Sequence, residues 1–188
     1  IDHYRVWTEQ LLTYSLTIQE ARVEALSNLQ NHVNNILSEY FANSIKIQIE
    51  YSPKRNLSQG AFEKFMQNNT DLFEQEVRYG RTLFGAHLDD FSIKFQGVHS
   101  KQFASRGQQK LVLLLLKIAQ IMELRSKRGS AVFLLDDFMT DFDETRSALL
   151  LQILGALKTQ LIFTSPLQSG AFDKQLQDSG AAKVFLTI

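Results

Sequence analysis

Residues 130–146 read SAVFLLDDFMTDFDETR, an apolar run that gives way to five carboxylates within nine residues. Val132, Phe133, Leu134 and Leu135 form a continuous apolar segment of strand length, the pattern of a strand inside a covered sheet. Asp136 and Asp137 follow with no turn residue between, so at least one carboxylate emerges at the mouth of that sheet. A charge held there without a partner is costly. The position therefore calls for a cation, and the rest of the chain must say what the cation is for.

Working outward from this strand, the segments on either side alternate between strands and helices. FSIKFQG at 91–97 alternates as a strand, and RGQQKLVLLLLKIAQIMELRSKRG at 106–129 is a buried helix ending in a basic turn. Beyond the acids come a helix over Glu144–Leu157, the strand QLIFTS, a short helix near Phe172–Gln177 and the strand KVFLTI. Helices alternating with apolar strands predict an α/β fold whose parallel or mixed sheet is covered on both faces.

The first half of the chain has a different character. No Gly or Pro occurs before Pro53, and apolar residues recur at spacings of three and four from Tyr4, Trp7, Leu11 and Tyr14 through to Tyr40. That periodicity predicts one helical stripe of about 55 Å at 1.5 Å per residue, long enough to project or to pair with another helix. SNLQNHVNN at 27–35 is where it would break. The alternation of Ile45, Ile47, Ile49 and Tyr51 predicts a strand, SPKRN a turn, and the apolar spacing from Phe62 to Val77 two short helices ending near Gly80.

The composition sets limits on these readings. Of 188 residues, 44% are hydrophobic, and 20 basic residues balance 20 acidic ones, so net charge does not favour a nucleic-acid partner and only local clustering can. The absence of cysteine removes disulfide frameworks and thiolate metal sites and fits a cytoplasmic protein. No apolar run reaches membrane-spanning length, and the N-terminus has no signal-peptide pattern. Because the sequence also lacks a starting Met, a fragment with its beginning elsewhere is expected.

Two constellations carry chemistry. An apolar strand ending in Asp136-Asp137 has the form of a Walker B element, in which the first acid holds Mg²⁺ on a nucleotide and the second orients the attacking water. The alternative is an acidic turn whose Asp143 and Glu144 favour a helix N-terminus. Ser105-x-x-Gln108 opens the long buried helix as a capping box. The Ser105 hydroxyl, the Gly107 backbone and the helix dipole can equally form a phosphate-binding N-terminus. His87, Asp89 and Asp90 lack the repeated spacing of a metal site and read as a satisfied loop. Seven basic residues between Lys101 and Arg128 face the single acid Glu123, either as a DNA-phosphate surface or as solvated helix ends.

Taken together, GAHLDDFSIKF at 85–95, ASRGQQKLVLLLLKIAQI at 104–121 and FLLDDFMTDFDETR at 133–146 resemble the RecF family of bacterial recombination-repair ATPases, within the SMC and ABC-type superfamily. The resemblance implies a signature loop at Ser105–Gln109, Walker B at Asp136 and Asp137, and a D-loop at Thr140–Asp143, where the family more often has Ser-Glu-Leu-Asp. It implies the C-terminal part of an ABC/SMC-type ATPase head at 80–188, a mixed sheet flanked by helices, with a long N-terminal arm helix in an arm portion over 1–79. Arg106 and Leu88 depart mildly from the family pattern. One departure is severe, because no Gly in this sequence is followed by Lys and the P-loop pattern G-x-x-x-x-G-K-[ST] is missing.

The resemblance further implies ATP and Mg²⁺ as cofactors, a site completed by an N-terminal half, and an ATP-dependent homodimer on DNA gaps or junctions, with RecR and RecO as partners and no membrane. Asp136 would hold the metal and Asp137 would be catalytic. Ser105, Gly107, Gln108 and Asp143 would contact nucleotide or the opposite head, and Thr164 or Ser165 would sense the γ-phosphate. As an isolated chain the protein is expected to be inactive. A head-like docking module without turnover, or a phosphotransfer enzyme using the acidic strand end, are the competing expectations.

Overall fold

The computed structural model describes residues 2–41, 45–55, 57, 62–99, 105–129, 131–136 and 142–164. Helix α1 spans Asp2–Tyr40, and strand β1 (Ile47–Ser52), α2 (Phe62–Asn68) and α3 (Thr70–Tyr79) follow. A 3-10 turn at Ala86–Leu88 leads into β2 (Asp90–Phe95) and β3 (Val98–His99), and then α4 (Arg106–Arg128), β4 (Val132–Leu135), α5 (Glu144–Ala156) and β5 (Gln160–Phe163). The described strands form a three-stranded sheet in the order β1-β2-β3 and a parallel pair β4-β5. The predicted helix near Phe172–Gln177 and the strand KVFLTI lie outside the described residues.

Two compact units divide the chain. One joins residues up to Asn28 with Gln48–Lys94, and the other joins Leu29–Ile47 with residues from Phe95 onward. Helix α1 is continuous through 27–35, the one place where the predicted stripe could have broken.

The core of the first unit is aromatic. Phe73 and Phe84 meet edge-on at 6.2 Å, Phe65 lies 5.1 Å from Phe84, and Leu12 of α1 is buried among them. Offset and edge-on contacts of this kind add to the burial of large apolar area. Gly80 ends α3 in the left-handed conformation at φ 62°, returning its N–H to the Glu76 carbonyl at 2.8 Å. The Glu76 side chain is itself buried, accepting from the Leu83 amide at 2.5 Å and the Tyr4 hydroxyl at 2.8 Å. Burial, with the Glu76 hydrogen bond and charge, pushes the Tyr4 phenol up to about 12. Trp7 and Tyr14 are exposed, at 68% and 64%.

The second unit is built on α4. Leu111, Leu115 and Ile118 recur at spacings of four and three and are buried, while Lys117, on the other side of the helix, is exposed. Strands β4 and β5 run in register, Val132 opposite Gln160 and Leu135 opposite Phe163. Phe133 and Leu135 are buried, and Val132 and Leu134 are 52% and 67% exposed, so among the described residues one face of the pair is covered. Four apolar residues in a row leave either face free to be buried, and among the described residues only one of them is.

Candidate functional site

At the start of α4, Ser105 takes extended backbone angles as the N-cap. Its Oγ accepts from the Gln108 amide at 3.3 Å, and the Gln108 Oε1 accepts from the Ser105 amide at 2.8 Å. The capping box predicted from Ser105-x-x-Gln108 is therefore complete. It leaves chemistry unspent, because the hydroxyl oxygen acts as acceptor and, among the described residues, its proton has no acceptor and can go to an anion. Gly107 sits in the first turn, where backbone amides have no acceptor within the helix. Their positive end of the helix dipole faces the same direction.

At the end of β4, Asp136 is exposed and its carboxylate is bonded across the strand pair. The Thr164 amide donates to the Leu135 carbonyl at 3.0 Å, one step past the end of β5, and this brings the Thr164 hydroxyl to donate to Asp136 Oδ1. The sequence offers Thr164 or Ser165 for the γ-phosphate. The structure joins Thr164 to Asp136, a pairing legible only once β4 and β5 are known to be adjacent and parallel. Asp137 and residues 138–141, Thr140 and Asp141 of the predicted D-loop among them, lie outside the described residues, as does Ser165.

Asp143 is the N-cap of α5, accepting from the Arg146 amide at 2.8 Å, with the Arg146 guanidinium 3.5 Å from its second oxygen. Just before it, Phe142 receives the Lys110 ammonium over its ring at 5.7 Å. This contact ties the second turn of α4 to the approach of α5, so the capped start of α4 and the Asp143 turn belong to one neighbourhood.

The basic run between Lys101 and Arg128 is partly committed to local structure. Lys110 stacks on Phe142, Lys127 pairs with Glu123 at 2.7 Å, and Arg125 donates to the Leu157 carbonyl at the end of α5. His32 lies 3.3 Å from Glu123. The Lys127 hydrogen bond, aided by His32, lowers the Glu123 carboxyl below its ordinary range against the opposing effect of burial. Arg106, Lys117 and Arg128 remain exposed, and Lys101 lies outside the described residues.

His87, Asp89 and Asp90 do not converge. His87 shares a hydrogen bond with Thr82 at 3.1 Å, and Asp90 accepts from the Phe91 amide at 2.8 Å. Asp89 accepts from the Tyr51 hydroxyl, from Gln19 at 2.8 Å and from the Lys54 amide at 2.8 Å. Burial pushes its carboxyl up, but those three donors and the nearby Arg22 charge outweigh it and hold the pKa below the ordinary value. Among the described residues no three His, Asp or Glu side chains are grouped to hold a metal. No described helix is long and apolar enough to cross a membrane.

No family model matches the chain. Individual proteins do. It is 30% identical to the DNA replication and repair protein RecF of Clostridium acetobutylicum over 87% of its own length and 45% of that protein's. For the RecF of Citrifermentans bemidjiense the identity is 30%, over 95% of this chain and 50% of the other. A solved structure of the recombination mediator protein RecF with ATP superposes with a TM-score of 0.69 at 27% identity, covering 87% of this chain and 46% of the other. The chain is similar to the C-terminal part of RecF. A second RecF structure, described as RecF-ATPrS in the RecFOR pathway, gives the same TM-score of 0.69 at 25% identity. The mixed helix-and-sheet architecture with its long first helix is thus the RecF ATPase fold. The chain spans about half the length of the RecF relatives it matches.

Proposed function

We propose that this chain is the C-terminal part of a RecF-type, ATP-dependent DNA clamp acting in recombinational repair of gapped DNA. The observation that carries the reading is the pair of features that α4 and β4 present in a RecF-like fold: a helix N-terminus with a spare hydroxyl proton at Ser105, and an exposed carboxylate at Asp136. The arm portion is assigned to 1–79 and the head portion to 80–188. Nucleotide phosphate would be met by Ser105 and the first-turn backbone at Gly107, with Gln108 holding the cap in shape.

Asp136 suits a hard divalent cation, since its Oδ1 is fixed by Thr164 and, among the described residues, its Oδ2 carries no hydrogen bond. Bound Mg²⁺ would supply charge neutralisation on the phosphates. Asp137 would orient the attacking water, and Asp143 would sit at the junction with a second head while capping α5. Because the sequence carries no G-x-x-x-x-G-K-[ST], the phosphate cradle has to be contributed by residues other than these, and Ser105 would act on nucleotide held by the opposite copy. DNA gaps or junctions, RecO and RecR are the partners, and the cytoplasm is the compartment.

A docking module without turnover is the second reading. It is favoured by the fact that Ser105 and Asp143 are both already used as helix caps. To separate the two, the chain is fused behind the N-terminal half of the Clostridium acetobutylicum RecF, and its mass is followed by light scattering with and without MgATP. The clamp reading expects the mass to double with nucleotide, and Ser105→Arg to abolish the doubling while nucleotide still binds. Tight binding with no change in mass would leave the docking module.

A further inference from the structure

We infer that Thr164 is the positioning residue of Asp136, holding one carboxylate oxygen so that the other is presented to the cation. This rests on the proposed cation role of Asp136 and deepens it. Two hydrogen bonds from the same residue define the arrangement. The Thr164 amide extends the β4-β5 ladder to the Leu135 carbonyl at 3.0 Å, which fixes the backbone of residue 164 beside the last residue of β4. From that anchor the side-chain hydroxyl donates to Asp136 Oδ1. A free carboxylate at a strand end rotates about its own side-chain torsions, and any cation it holds must stop that rotation. A donor built into the neighbouring strand stops it beforehand, as groups behind a metal ligand commonly do.

The bond also disposes of the hydroxyl proton. A hydroxyl has a single proton to donate. At Thr164 it goes to a carboxylate, so in this arrangement it is not free to read a γ-phosphate. The residue needs its hydroxyl but not its methyl group, so serine should replace it and valine should not. Valine keeps the shape and the ladder hydrogen bond, and so isolates the loss of the donor.

The test uses the 188-residue chain and Mn²⁺ as the probe, read by paramagnetic broadening of backbone NMR signals. Broadening is expected around Asp136 and Thr164 and should disappear in Asp136→Asn. Thr164→Val should need roughly 3- to 10-fold more Mn²⁺ for the same broadening, the scale of one ordinary hydrogen bond lost at an exposed site, while Thr164→Ser stays near wild type. Thr164→Val titrating like wild type, with Asp136→Asn silent, overturns the positioning role and leaves Asp136 as the cation holder. Wild type without local broadening, or broadening that survives in Asp136→Asn, removes the cation role of Asp136 and the inference with it. The spectra themselves report whether each variant is folded.

Discussion

Asp89 shows how much of this protein's order depends on single side chains whose purpose is invisible locally. Its donors Gln19 and Tyr51 stand 70 and 38 positions away in sequence, so the HLDD stretch alone reads only as a loop with charges. The depressed pKa gives a pH signature. A carboxyl lowered on folding adds stability above its unfolded pKa of about 3.9, and that stability is lost as pH falls through the lower folded value. Asp89→Asn should therefore cost about 1–2 kcal/mol at neutral pH, because an amide cannot accept from three donors. The deficit relative to wild type should shrink below about pH 4. Urea melts at pH 7 and pH 3 check this, and an equal deficit at both would show that the charge is irrelevant. Ser147 is the converse case. Its buried hydroxyl has no hydrogen-bond partner among the described residues, so Ser147→Ala should be neutral or stabilise by up to about 1 kcal/mol in the same assay.

Among the elements, α1 and α4 differ in how openly their sequences declare them. The ends of α4 are written locally, since Ser105-x-x-Gln108 closes the box within four residues and Gly129 follows the basic last turn at φ 86°. Removing the cap with Ser105→Ala should cost about 1 kcal/mol. The long stripe of α1 was legible, and its continuity through 27–35 was the one weak point, because Asn and Ser are poor interior helix formers. It holds because Val33 and Leu37 are buried and Asn34 works on the strand that follows. Its amide accepts from the Ile47 N–H at 2.9 Å and donates to the Ile47 carbonyl at 3.0 Å, replacing a strand neighbour. Asn34→Ala would strand both backbone groups of a buried residue, and a loss of about 2–3 kcal/mol is expected. Asn35→Ala, at an exposed position, should be within about 0.5 kcal/mol of wild type. Equal urea midpoints for the two variants would show that the Asn34 clamp contributes nothing.

For the whole molecule, the sequence motifs identified the kind of head but not how its sheet is covered. A run such as Val132–Leu135 says that both faces are apolar and nothing about what lies against them, and Leu134 is 67% exposed. The same division runs through the proposed chemistry, where the acids and the capped helix are present and the phosphate-cradling loop is not. On that reading the isolated chain should bind MgATP weakly and hydrolyse none. A single exposed carboxylate and one helix N-terminus offer little against the cost of fixing a flexible triphosphate, whereas a P-loop wraps the phosphates in several backbone amides and a lysine. Calorimetric titration of the chain with ATP and Mg²⁺ is the measurement, and the expected dissociation constant is about 1 mM or weaker, where the whole binding free energy is only about 4 kcal/mol. Fusion to the N-terminal half of a RecF relative should bring tight binding and at the same time bury Leu134, so Leu134→Asp should weaken nucleotide binding in the fused protein while leaving the isolated chain folded. Micromolar ATP binding by the isolated chain would mean that a complete nucleotide site exists within these 188 residues, and the division of the site between two halves would be wrong.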